Sequence, residues 1–142
     1  KAPVTRAEAT MMISKAIELS PKNETAVHYR DVPSRHWAYE AIQYASRSQM
    51  ITGYPDGTFR PSRELTRAEM AVMIAGALEL EPITVGTARF TDVPENHWSI
   101  EYVNKMVAEG YIAGYENGEF RPDAYATRAE LTSLIYRILQ SE

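Results

Sequence analysis

The sequence has no cysteine in its 142 residues, which removes disulfides, thiolate nucleophiles and Cys-ligated metals from the possible chemistries. A domain of this size folds without such staples, so an extracellular location stays open. No apolar run approaches the roughly 20 residues of a bilayer span, so no membrane insertion is expected, and the polar, charged opening does not read as a signal peptide. Excess positive charge is also missing. Fifteen Lys and Arg against 19 Asp and Glu leave a formal charge of −4, the wrong balance for binding nucleic acid through its phosphates. Histidine is scarce: His28, His36 and His97 are the whole supply, and the last two sit beside Trp in corresponding places, which points to a duplicated structural role. No Gly-x-Ser-x-Gly, His-Glu-x-x-His or phosphate-loop pattern is present. No enzyme activity and no cofactor are expected.

What is present is enough apolar material for a core, 44% of residues, and an internal repeat. The tetrapeptide Thr-Arg-Ala-Glu occurs at Thr5–Glu8, Thr66–Glu69 and Thr127–Glu130, and the step from the first copy to the second equals the step from the second to the third. The same offset relates Asp31 to Asp92, His36 to His97, Trp37 to Trp98, Gly53 to Gly114, Gly57 to Gly118, Phe59 to Phe120 and Pro61 to Pro122. Self-similarity of this kind defines the architecture. The units are residues 1–28, the second half of a first repeat, then 29–81 and 90–142, together one compact domain. In this phase the chain opens partway through a unit, and from its start at Lys1 rather than Met it is expected to be a piece of something longer, with the missing half-repeat expected from upstream sequence or another chain.

Within a unit, Asp31-Val32-Pro33 and Asp92-Val93-Pro94 open turns, and helices are predicted over about 37–49 and 98–109, the second stopped by Gly110. The stretches Gly53-Tyr54-Pro55-Asp56-Gly57 and Gly114-Tyr115-Glu116-Asn117-Gly118 read as tight turns. Their Asp-Gly and Asn-Gly pairs also raise calcium, but the alternating oxygen ligands of a calcium loop are absent, so no metal site is predicted. A second helix starts at each tetrapeptide. Its repeated apolar positions are Met12, Met73, Leu134; Ile13, Ile74, Ile135; Ala16, Ala77, Ile138; and Ile17, Leu78, Leu139, which share one helix face. Three equivalent faces predict an all-α fold of tandem helix-loop-helix repeats with a central three-helix bundle.

The tetrapeptide has the form of a capping box, in which Thr5, Thr66 or Thr127 accepts from the backbone of Glu8, Glu69 or Glu130 and that Glu reaches back to the Thr amide. Arg is the anomaly. At the first helical position a cation faces the positive end of the macrodipole, at a cost of some tenths of a kcal/mol, typically ~0.3–1. Arg6, Arg67 and Arg128 therefore need another reason. One is an ion pair with a neighbouring repeat, through Asp31 or Asp92. The other is anion capture, with free helix amides and a guanidinium fork receiving a carboxylate or phosphate.

The order Asp-Val…His-Trp, then Gly-Tyr-x-Asp/Asn-Gly-x-Phe-x-Pro, then Thr-Arg-Ala-Glu resembles the S-layer homology repeat and covers nearly the whole chain. The resemblance implies a pseudo-threefold prism whose grooves bind secondary cell-wall polysaccharide, often through a pyruvylated sugar, at the bacterial cell surface. It implies Arg6, Arg67 and Arg128 as anion ligands, Trp37 and Trp98 as groove walls, and Gly53 and Gly114 as points of close backbone approach, and Asp31 and Asp92 are expected among the ligand-binding residues. For each Trp a core anchor is the competing role, and for each Gly a turn with positive φ. Peptidoglycan and a protein-interaction repeat are the alternative partners.

Overall fold

The computed structural model describes residues 2–22, 24–83 and 90–141. Five helices account for the regular structure of those residues: α1 (Arg6–Ala16), α2 (Tyr39–Arg47), α3 (Arg67–Ala77), α4 (Ile100–Ala108) and α5 (Arg128–Gln140). None is long and apolar enough to cross a membrane. The chain is all-α, with no extended strand among the described residues.

Helices α1, α3 and α5 begin at the three tetrapeptides, and each has a complete capping box. Thr5, Thr66 and Thr127 accept from the amides of Glu8, Glu69 and Glu130, while those carboxylates accept from the Thr amides. The residues just before them meet in a ring of three backbone hydrogen bonds. Val4 donates to Ala126 (2.9 Å), Ala126 to Leu65 (2.8 Å) and Leu65 to Val4 (3.0 Å). All three residues are fully buried. One residue from each unit thus satisfies a backbone donor and an acceptor of its neighbours, which buried peptide groups require.

The other two helices start later than their spacing predicts. His36 accepts the amide of Ala38 through Nδ1 (3.0 Å) and His97 accepts that of Ser99 (3.2 Å), so each Trp lies in a turn and the helices open at Tyr39 and Ile100. Gly110, at φ +80°, ends α4, and Gln49 holds the same left-handed position (φ +64°) after α2.

Helix α1 packs on α2 and α3 on α4, and α1 also meets α3 and α5. The predicted apolar face is buried at Ile13, Ile17, Met73, Ile74, Ala77, Leu134, Ile135 and Ile138. Leu139 departs from it, lying 45% exposed. Its equivalent Ile17 is covered where α1 packs on α2, and no described helix covers α5 in the same way.

Candidate functional site

Each glycine loop closes through two backbone bonds: Tyr54 N to Thr58 O (2.8 Å) and Gly57 N to Tyr54 O (3.0 Å), repeated as Tyr115 to Glu119 and Gly118 to Tyr115. Gly57 and Gly118 adopt φ of +87° and +88°. Gly53 and Gly114 serve packing instead. A Cβ at Gly53 would stand 2.4 Å from the Tyr29 ring and 2.8 Å from the Thr58 carbonyl, and at Gly114 2.3 Å from Phe90 and 2.8 Å from the Glu119 carbonyl. The loop ends on a buried aromatic, Phe59 or Phe120, against Tyr29 or Phe90 with ring centres 5.2 Å apart in both.

Asp31 and Asp92 hold that end of the loop. Asp31 accepts the amides of Phe59 and Arg60, and Asp92 those of Phe120 and Arg121, all at 2.8 Å. Those bonds support Arg60 and Arg121 in left-handed backbone, φ +60° and +59°. Burial works to raise the Asp31 pKa, but the amides of Phe59 and Arg60, together with its own amide and the Arg30 charge, outweigh it and hold the carboxyl below its ordinary value. Neither Asp is the ion-pair partner of a tetrapeptide Arg.

Arg6 and Arg67 are only 7% and 5% exposed and reach from one unit into the next unit's glycine loop. Arg6 Nε donates to Phe59 O (2.8 Å) and Nη2 to Thr52 O (3.0 Å). Arg67 Nε donates to Phe120 O (2.8 Å) and Nη2 to Ala113 O (3.2 Å). Each guanidinium also lies over two rings, Arg6 at 4.8 Å from Tyr54 and 4.6 Å from Phe59, Arg67 at 4.9 Å from Tyr115 and 4.7 Å from Phe120. Arg60 and Arg121 approach the same tyrosines at 3.8 and 3.9 Å, giving an arginine–tyrosine–arginine ladder in each unit. The tyrosines keep the repeat offset, but only the folded chain shows what they contact.

These contacts explain the unfavourable helical position of Arg6 and Arg67: each ties one repeat to the loop of the next. For Arg67 and Arg128 the ion-pair partner is the tetrapeptide Glu of the neighbouring unit. Arg67 Nη1 pairs with Glu130 Oε2, and Arg128 Nη1 with Glu8 Oε2 at 3.0 Å. Arg128 is the exposed member, its side chain 54% accessible. Burial lowers the Arg6 pKa, with Tyr54 and Glu69 acting the other way, and a guanidinium stays charged in either case.

At α1 and α3 the free helix amides expected for anion capture are not free. Arg6 N donates to Arg63 O and Ala7 N to Pro61 O, both 2.9 Å; Arg67 N donates to Ala124 O (2.8 Å) and Ala68 N to Pro122 O (3.0 Å). The next amide in each helix is taken by the capping Thr. The starts of α1 and α3 are consumed in joining the repeats, so an anion there has to be met by side chains.

Two grooves follow this construction. One, of about 360 Å³, is bounded by Arg6, Gly53, Tyr54, Glu69, Met73 and Trp98. The other, of about 590 Å³, is bounded by Arg67, Gly114, Tyr115, Glu130, Leu134 and Arg137. Both join residues from different units. Trp98 is 62% exposed and Trp37 60%, each stacked on the preceding His at 5.5 Å, so neither is a core anchor. Trp37 lines neither of these two grooves.

The S-layer homology domain family matches residues 28–71 and 89–132. The chain belongs to that family. Among the relatives of this S-layer homology chain, a cellulosome-anchoring protein of Acetivibrio thermocellus is 40% identical over 143 residues, 96% of this chain and 32% of that protein. The S-layer protein EA1 of Bacillus anthracis is 32% identical over 117 residues, 82% of this chain and 14% of that protein. An amylopullulanase of Thermoanaerobacterium thermosulfurigenes is 33% identical over 144 residues, 96% of this chain and 8% of that protein. The chain therefore spans a third or less of each. Family and relatives place this S-layer homology module at the bacterial cell surface.

Proposed function

We propose that this S-layer homology chain anchors a longer exported protein to the bacterial cell wall, binding secondary cell-wall polysaccharide in its inter-repeat grooves. Arg6, Arg67 and Arg128 are the proposed anion ligands. The anion in this reading is a sugar carboxylate such as a pyruvate ketal, and an exposed indole, Trp98 or Trp37, stacks on the sugar face. The observation that carries it is Arg6, a buried guanidinium whose Nη1 no described residue engages, in a groove that also holds an exposed Trp98. Gly53 and Gly114 bring backbone to the groove floor. Asp31 and Asp92 act indirectly, by holding the loops. Several grooves on one polymer give firm attachment from weak contacts, since later ones bind intramolecularly. The family's presence in proteins with names as different as anchoring protein, S-layer protein and amylopullulanase supports a shared attachment role rather than a shared reaction.

The test is sedimentation of the chain with cell-wall sacculi before and after mild acid that strips ketal pyruvate and wall polymer, with Trp98→Ala and Trp37→Ala as variants that disturb no core. Loss of binding on stripping, and weaker binding by Trp98→Ala, is the expected result. Binding that survives stripping moves the partner to peptidoglycan. No binding to either moves it to protein.

A further inference from the structure

The three capping-box glutamates are built alike, yet one of them is turned away from its arginine. In each box one carboxylate oxygen, Oε1, accepts the Thr amide: Thr5 to Glu8 at 3.0 Å, Thr66 to Glu69 at 2.8 Å and Thr127 to Glu130 at 2.9 Å. The other oxygen is then available to the tetrapeptide Arg of the adjoining unit. Glu130 Oε2 takes Arg67 and Glu8 Oε2 takes Arg128. By the same rule Glu69 should take Arg6. It does not: Arg63 Nη1 lies 3.0 Å from Oε1 and 2.9 Å from Oε2 of Glu69, and no ion pair joins Glu69 to Arg6 among the described residues.

Arg63 is the asymmetric element. The equivalent positions in the other two units are Ala2 and Ala124, which offer nothing to a carboxylate. Its own pKa is raised, first by the hydrogen bond to Glu69. The consequence is an inequality between the two grooves. In one, Arg67 is already bound to a carboxylate tethered to the protein, which an incoming anion has to displace. In the other, Arg6 keeps Nε and Nη2 on the loop carbonyls, and Glu69, although it lines the same groove and still acts on Arg6 through space, is hydrogen-bonded to Arg63 and leaves Arg6 Nη1 unbonded among the described residues.

We infer that Arg63 is a positioning residue that draws Glu69 off Arg6 and makes the Arg6 groove the high-affinity anion site, while Glu130 self-occupies the Arg67 groove as an internal substitute for the ligand. This rests on the wall-polymer reading above, and it adds which groove is ready to bind and why. Removing a tethered competitor that forms a charge-assisted bond changes affinity by about tenfold.

The probe is the 4,6-pyruvate ketal of methyl glucopyranoside, titrated into the whole chain while the Trp98 indole and the Arg6 and Arg67 Nε–H resonances are followed by NMR. Arg63→Ala installs the residue found in the other two units, and Glu130→Gln keeps a capping-box residue. The expected result is preferential shifts at Trp98 and Arg6 in the parent chain and about tenfold weaker binding there in Arg63→Ala. Recovery is expected in Arg63→Ala/Glu69→Gln, and tighter binding at Arg67 in Glu130→Gln. Unchanged affinity at the Arg6 groove in Arg63→Ala, or no recovery in the double variant, overturns the inference. If the parent binds no ketal at either groove, the wall-polymer reading fails instead, and the ligand-free spectra decide. An Arg6 Nε–H resonance that moves in Arg63→Ala and returns in the double variant sustains the diverted carboxylate, and one that stays still refutes it.

Discussion

The Arg6 and Arg67 grooves are made of the same parts one repeat apart, and their scaffolds coincide almost bond for bond. The Arg Nε to Phe carbonyl contact is 2.8 Å in both, the aromatic pair 5.2 Å in both, and the Asp-to-amide bonds 2.8 Å in both. The differences include Trp98, which lines only the Arg6 groove, Val72 in that groove where the other has Ser133, Arg137 in the second where the earlier unit has Gly76, and Arg63 beside Glu69 where the later unit has Ala124. The repeat thus keeps the arginine-to-loop bonds that join units and varies several groups that line the grooves. Stability effects of equivalent substitutions should match across the grooves wherever the surrounding contacts are the same, and binding effects should not.

The harshest test of the shared scaffold removes the buried ring at the end of each loop. Phe59 and Phe120 are fully buried, each against a second aromatic and under an arginine. Phe59→Ala and Phe120→Ala should each cost about 3–5 kcal/mol, read from urea unfolding of the whole chain. Near-equal losses keep the scaffold equivalent. A loss at one site less than half that at the other breaks the equivalence.

A finer test lies at the glycines. Adding a Cβ drives into Tyr29 at Gly53 and into Phe90 at Gly114. The Tyr29 hydroxyl is held by Ser46 Oγ at 2.9 Å, whereas Phe90 has no hydroxyl to be held. Overpacking costs about 1–3 kcal/mol, and Gly53→Ala should fall nearer the top of that range and Gly114→Ala nearer the bottom, by the same unfolding measurement. The reverse order would show that the hydroxyl tether does not set the room available.

How much of this was legible before folding depends on the range of each interaction. The capping boxes involve neighbours within one helical turn, so Thr5 and Glu8 declare them directly. The glycine turns and the apolar faces of α1, α3 and α5 follow equally from local pattern. The prediction that Leu139 is buried fails because coverage of a helix face depends on which other helix lies over it, and spacing carries no such information. Tyr54 and Tyr115 kept the repeat offset, yet their place between two arginines depends on contacts made only when distant segments meet. Arg63 was visible as a residue without counterparts, but its meaning depends on where the free oxygen of Glu69 points. The helix amides expected to be open to an anion are taken at α1 and α3, because the backbone that consumes them belongs to the following unit, Arg63 for α1 and Ala124 for α3.

Acid should separate the contribution of Asp31. Its folded-state pKa lies below the ordinary value, which is about 3.9 in an unfolded chain. The stabilisation is therefore complete above about pH 4 and is lost as pH falls through the folded-state pKa. Asp31→Asn retains one acceptor for the two amides and should cost about 1 kcal/mol at neutral pH, the partial exposure of the site limiting the loss. The difference from the parent chain should narrow as unfolding is followed below pH 4, because the parent then loses the same charge. A gap that stays constant down to pH 2 would mean that the carboxylate's charge is not what holds the loop.

The smallest expected effect on stability belongs to the residue with the largest proposed effect on binding. The side chains of Arg63 and Glu69 are 40% and 23% exposed, and an ion pair in that setting is worth about 0–1 kcal/mol. In Arg63→Ala the released carboxylate stays in the capping box through Oε1 and gains Arg6 as a nearby cation, so even that small loss is partly offset. The unfolding midpoint should move by no more than about 0.5 kcal/mol in equivalent free energy, with the capping box intact. If unfolding instead shows a loss above about 1 kcal/mol, Arg63 is holding the repeat together, and any weaker binding by Arg63→Ala would reflect a damaged groove rather than a carboxylate returned to Arg6.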